Sequence, residues 1–525
     1  MELSLAVNSH GLISGSQSAV PAAELKSSIV FFPRRRECSR GYLKFEVKAS
    51  LRPFHPESIP SNKDLSRESS GIKTETLNKV RLFVGLPLDA VSETQTLNHA
   101  RAIAAGLKAL KLLGVEGVEL PVWWGIVEKE AMGKYDWSGY QTLAEMVRDA
   151  GLKLHITLCF HANPALKIKL PDWITRIGET QPDIYFKDRT GRLYKDCLSL
   201  AVDDLPLLDR KTPCQVYHDF CESFKSSFAS FMDTTITGIT IGLGPDGDLR
   251  YPSHHKQGKE GKIPGAGEFQ CYDKHMLSLL KQQAEGAGNP LWGLGGPHDA
   301  PTYDQHPNST NFFKDGGSWE SPYGSFFLSW YSGELLSHGD RLLSMASSLF
   351  KDCSIPIYGG IPLMHSWYNT RSHASELTAG FFNAESRDAY EKVAETFAKH
   401  GCKMIIPGMD LRDEDQREGS FASPERLVAQ IRSACRDHGV EVAGENASLS
   451  TSGLEKIGSS LTGEMARGVF LYNRMGAEFF SPEHFPAFTQ FVRCINQPGM
   501  HADDLPEREE EGAVSSVTSA EMQVA

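Results

Sequence analysis

The chain has 525 residues, 40% of them hydrophobic, and carries 54 Lys or Arg against 66 Asp or Glu for a formal net charge of −12. That length accommodates one large barrel or roughly two to three average domains, each with a sizeable core. The acid excess excludes a phosphate-neutralising surface for nucleic acid, and no apolar run is long enough to span a membrane, so a neutral polyol ligand fits best.

Residues 1–49 are rich in serine, contain Arg34-Arg35-Arg36 and hold seven Lys or Arg against four Asp or Glu. This composition predicts a plastid transit peptide, with a disordered N-terminal arm as the plainer alternative, since Glu2, Glu24, Glu37 and Glu46 are more acid than such peptides usually carry. Its removal would leave a net charge of −15. Residues 50–78 are rich in Pro, Ser and charge without an apolar period and read as a linker. Residues 498–525 form an acidic stretch nearly free of aromatics and read as a disordered tail.

Between them, over 79–497, short apolar runs recur: VRLFVGLPL (80–88), GVELPVWW (117–124), KLHITLCFH (153–161), TGITIGLG (237–244), IPIYGGIPL (355–363), KMIIPGM (403–409), VEVAGEN (440–446) and GVFLYN (468–473). Helical periodicity alternates with them. HARAIAAGLKALKLLG places Ile103, Leu107, Leu110 and Leu113 on one face and stops at Gly114, and similar patterns run over 141–150, 386–400 and 424–438. Eight buried strands alternating with helices predict an α/β fold, a (β/α)8 TIM barrel with long βα loop insertions, whose functional residues follow the strand ends. Ten cysteines are scattered singly with no C-x-x-C, so neither a zinc site nor a disulfide framework is signalled, and no metal or cofactor is expected.

Those strand ends carry Trp123-Trp124-Gly125, His161, Asp246, Asp248, His365 to Asn369, Asp410-Arg412-Asp413, Glu445-Asn446 and Arg474. Aromatic rings stack on sugar faces while carboxylates, amides and arginine bind hydroxyls, so the set suits a carbohydrate cleft. Asp248 after the fourth strand and Glu445 after the seventh could straddle a glycosidic bond, one as general acid and the other as base or nucleophile. Gly242, Gly244 and Gly247 match the dinucleotide pattern G-x-G-x-x-G, but DLRYPSHHKQGKEGKIPGAG follows where a helix N-terminus would have to face pyrophosphate. That segment is a loop.

VWWGIVE (122–128), GLGPDGDLRYPS (242–253), GEFQCYDK (267–274), SHASELTAG (372–380), MDLRDEDQ (409–416) and VAGENA (442–447), taken in order, resemble the β-amylases of glycoside hydrolase family 14. The likeness spans roughly 80–495. It implies a (β/α)8 barrel whose active members release maltose from the non-reducing ends of α-1,4-glucans with inversion, using two glutamates and no required metal. By that resemblance Glu445 is the general base, Asn446 and Ala447 follow as in the family, and His161, His373 and Arg474 are substrate-site residues.

The resemblance also exposes departures. Asp248 holds the general-acid position, where the family has glutamate, so its carboxyl is withdrawn by roughly 1 to 1.5 Å. A displacement of that size costs about a hundredfold in rate. Pro121 stands at a sugar-binding aspartate, Asn369 at a sugar-binding lysine, and Pro407 at a threonine of a mobile inner loop. ANPALKIKLPDW (162–173) is a shortened lid without the family's glycines. The expectation is therefore an inactive plastidial relative that binds α-1,4-glucan or starch, or regulates active starch-degrading enzymes. An active maltohydrolase with Asp248 as acid and a non-catalytic protein-interaction scaffold are the alternatives.

Overall fold

Apolar runs buried on both faces pair as parallel strands, and here eight of them close on themselves. The computed structural model describes residues 80–254, 263–384, 387–461 and 468–496. The segments read as transit peptide, linker and acidic tail lie outside the described residues. The strands are β1 (Arg81–Gly85), β2 (Gly117–Trp123), β3 (Lys153–Cys159), β4 (Ile236–Ile241), β5 (Ile357–Gly360), β6 (Lys403–Ile406), β7 (Val442–Glu445) and β8 (Val469–Tyr472). Each pairs in parallel with its sequence neighbour, and β8 closes onto β1 through Arg81↔Val469 to Val84↔Tyr472. The expected TIM barrel is the fold.

The barrel helices, the last helix before each next strand and the one after β8, are α1 (Ala100–Leu113), α2 (Ser138–Asp149), α3 (Pro213–Ser227), α4 (Pro322–Leu349), α5 (Tyr390–Lys399), α6 (Pro424–Asp437), α7 (Thr451–Leu461) and α8 (His484–Asn496). Gly114 ends α1 in the left-handed region at φ 82°, as its place after the apolar stripe predicts. α3 opens on a reciprocal capping box between Thr212 and Gln215, with Pro213 in its first turn. The long insertions fall after β3, where an antiparallel hairpin pairs Tyr185–Lys187 with Leu193–Leu198, and after β4, where Lys274–Gly286 is helical.

Alternation along the strands sorts the core into two regions. Val84, Val118, Leu120, Ile156, Ile239, Met404 and Phe470 belong to the cluster packed under the helices. Phe83, Tyr358, Ile405, Ala443, Val469 and Leu471 form a separate cluster filling the barrel axis. His155 joins that filling, with ring centroids 5.8 Å from Phe83 and 4.9 Å from Tyr358, and its Nε2 lies 2.7 Å from Thr240 Oγ1. Burial, helped by Arg81, pushes His155 down to about 3, so it is neutral at physiological pH.

Gly238 makes room for that imidazole, since a Cβ there would stand 2.4 Å from His155 Nδ1. Gly238→Ala should therefore lower stability by about 2 kcal/mol or more through overpacking, seen as a drop in Tm. Gly333, inside α4, has open space around its Cβ direction. Gly333→Ala should raise stability by about 1 kcal/mol in the same melts.

Candidate active site

The acid position is built by the turn after β4. Leu243 N donates to Gly247 O at 2.9 Å, and Asp248 N donates to Pro245 O at 3.1 Å. Asp246 (φ 57°) and Gly247 (φ 91°) take the left-handed conformations that such a reversal needs. The chain then meets the end of β5 through an Asp248↔Gly360 bridge, with Leu249 N donating to Gly360 O at 2.9 Å. A Cβ on Gly360 would lie 3.0 Å from Asp248 Oδ1, so the carboxyl lies close against the β5 backbone.

Arg250 serves the neighbouring aspartate first. Its Nη2 pairs with Asp246, while its Nε is 3.8 Å from Asp248 Oδ2. The Asp248 side chain retains 30% exposure to the cleft and is otherwise enclosed by protein. Burial raises it to about 7; Arg250 opposes the shift and Asp246 adds to it. From beneath, His338 Nε2 donates to Leu243 O at 2.9 Å, while its Nδ1 is 2.7 Å from Asp203 Oδ2, which also accepts from Arg341. His338 thus fixes the turn that carries Asp248.

The base position ends β7. Asn473 Nδ2 donates to Glu445 Oε1, and the Asn446 amide spans the gap to β8, accepting from Asn473 N at 2.7 Å and donating to Asn473 O at 3.0 Å. Asp410 ties down the next two residues of the loop, accepting from Ala447 N at 2.6 Å and Ser448 N at 3.0 Å. Burial raises Glu445 to about 7; Arg474 and the Asn473 hydrogen bond lower it, while Asp248 and Glu119 push it further up. Glu445 therefore senses the Asp248 charge at the barrel mouth.

Arg474 lies beside them, donating to Leu86 O at 2.7 Å, Glu119 Oε2 at 3.0 Å and Asn473 Oδ1 at 3.0 Å. Pro121 is buried in β2 opposite Thr157 of β3, two residues beyond Glu119 and on the same side of the strand. Pro407 directly follows β6, partly buried, in the loop whose Met409 N donates to Glu445 O at 3.0 Å.

The remaining expected residues form two flanks. His161 is buried, with its ring 5.3 Å from that of Trp123 and its Cε1 beside Gly247 in the acid turn. His373 begins the short helix Ala374–Ala379 at φ 46°; its Nδ1 is 2.8 Å from the buried Glu376 carboxylate and its ring 4.7 Å from Tyr368. Asn369 is exposed, accepting from Arg426 Nη1 at 2.6 Å and donating to Ala422 O at 3.3 Å. Its amide is spent on the neighbouring loop.

A recess of about 500 Å³ beside Asp248 opens into a groove of about 1010 Å³, the two sharing Ala165, His254, Leu363 and Met364. Ala165 belongs to the shortened lid, which is a single turn at Pro164–Leu166. His218, Asp219 and Glu222 stand together on α3 at ligand-like spacing, but Lys211 Nζ already neutralises Asp219 at 2.5 Å on that outer surface. Reading strand ends alone missed Glu119, Asn473 and His338. For Glu119 the signal was present: one carboxylate inside the apolar run GVELPVWW.

The family model for glycosyl hydrolase family 14 matches residues 83–500. The chain is 56% identical to "Inactive beta-amylase 9" of Arabidopsis thaliana, over 92% of this chain and 90% of that protein. It is 41% identical to "Beta-amylase 1, chloroplastic" of the same plant, over 81% and 77%. Its fold matches the crystal structure of the catalytic domain of the beta-amylase from Paenibacillus polymyxa with a TM-score of 0.66 at 25% identity, covering 79% of this chain and 98% of that one.

The raised carboxyls bear on stability. Asp248 and Glu445 hold protons to higher pH in the folded chain than in the unfolded one, so between about pH 4 and pH 7 the folded state binds more protons and their contribution falls as pH rises. Asp248→Asn and Glu445→Gln should each raise stability at pH 8, on the order of 1–2 kcal/mol, and change it little at pH 4.5. Thermal melts across that range check the sign.

Proposed function

The chain belongs to glycosyl hydrolase family 14, and from that premise we propose that it is a plastidial β-amylase-like protein that binds α-1,4-glucan without cleaving it and so regulates starch degradation. The observation that carries the reading is the acid position. Asp248 is one methylene short of the family's glutamate and its carboxyl lies close against Gly360, which shortens its reach toward a leaving oxygen. Pro121 and Asn369 offer no sugar contact of the family type: one lacks both carboxylate and N–H, and the other is engaged by Arg426 and Ala422. The name of the 56% identical relative, "Inactive beta-amylase 9", supports the same conclusion. The word "chloroplastic" in the other relative's name and the Arg- and Ser-rich composition of residues 1–49 support the plastid.

One observation favours a second reading, an active maltohydrolase. A general acid must be protonated near working pH, and burial holds Asp248 at about 7. Glu445 would then activate water from the opposite side of the sugar ring.

Maltose release from soluble starch separates the two. The wild-type chain should release no more maltose than Glu445→Gln; release abolished by Glu445→Gln would establish the active reading. The glucan-binding part is checked by sedimentation with amylopectin, where the chain should be retained. Passage into the supernatant would leave a protein-interaction scaffold.

A further inference from the structure

We propose that Glu119 is a sequestering carboxylate: it holds the Arg474 guanidinium, which the family resemblance assigns to sugar, in an internal ion pair. Glu119 sits within β2 and is 5% exposed. A carboxylate so placed needs a partner, because an unpaired buried charge is strongly destabilising. Arg474 Nη1 supplies it at 3.0 Å.

The proline two residues further on explains the second half of the clamp. Leu86 N donates to Glu119 O at 2.8 Å. In a regular parallel ladder the next bond would run from the N–H of residue 121 back to Leu86 O. Pro121 has no N–H. The carbonyl left open accepts instead from Arg474 Nη1 at 2.7 Å. Nη1 carries two N–H bonds, and both are now spent inside the protein.

Two further contacts hold the group down. Arg474 Nη2 donates to Asn473 Oδ1 at 3.0 Å. The guanidinium also lies across Gly85 at the end of β1, where a Cβ would stand 3.0 Å from Nη1 and 3.1 Å from Cζ. Loss of the sugar-binding carboxylate at 121 and withdrawal of Arg474 are therefore one structural event, with Glu119 as the residue that completes it. Restoring Asp at position 121 alone would leave Arg474 paired to Glu119.

The test has two arms, of which only the second rests on the glucan reading. In the first, wild type, Glu119→Leu and the isosteric Glu119→Gln are treated with phenylglyoxal, and labelling of Arg474 is followed by peptide mass mapping. Release from one ion pair should speed labelling about tenfold in Glu119→Leu. Equal rates in wild type and in a folded Glu119 variant overturn the proposal; Glu119→Gln keeps the measurement possible if the leucine variant does not fold.

In the second arm, maltoheptaose binding is measured by calorimetry. The Glu119 variants should bind about tenfold more tightly than wild type, and adding Arg474→Ala should abolish that gain. Tightening that survives Arg474→Ala also overturns the proposal, because it would not act through the arginine. Faster labelling with no maltoheptaose binding in any variant supports sequestration and removes the glucan reading instead.

Discussion

Closing eight parallel strands into a ring dictates which side chains meet. Alternate residues of every strand face the axis, so a site at the mouth of the barrel is assembled from the last inward positions of strands far apart in sequence. Gly85 lies beside Glu119, and Asn473 meets Glu445, for that reason. Deeper in, Phe83, His155 and Tyr358 pack together along the axis. The site is a floor of packed aromatic rings with carboxyls standing above it.

Electrostatics at that mouth is lopsided. Glu445 feels Asp248 and Glu119 as neighbouring negative charges and Arg474 as the cation that offsets them. In a glycosidase such tension has a use, since it separates an acid from a base. Here the cation is anchored on Glu119 and a backbone carbonyl, and Arg250 on the opposite side is paired first with Asp246. Burial still raises both carboxyls, while the two neighbouring cations are engaged by other groups of the protein.

The barrel was readable because strands buried on both faces leave continuous apolar runs, each ending where a functional loop begins. α4 is harder to read, because its buried face mixes Ser332, His338 and Gly339 with Phe327, Tyr331 and Leu335, which dilutes the apolar stripe. α2 begins at Ser138, earlier than its apolar period suggests, because Asp136 accepts from Ser138 N at 3.1 Å and Oγ at 2.7 Å. Asp248 and Glu445 were legible as carboxylates at strand ends within recognisable motifs. The Glu119 to Arg474 pair joins residues 355 positions apart, and His338 reaches Leu243 across 95. No local pattern encodes such partners; only the closed ring brings them together.

Asn369 bears on which substitutions this flank of the site tolerates. Its acceptor oxygen is taken by Arg426, which also lies over the Tyr368 ring at 5.4 Å. A lysine at that position would bring an ammonium against a guanidinium already settled there, at the cost of like-charge repulsion and the cation's lost hydrogen bond. The hydrogen bond to Arg426 thus ties positions 369 and 426 together, so that a change at one alters what the other tolerates.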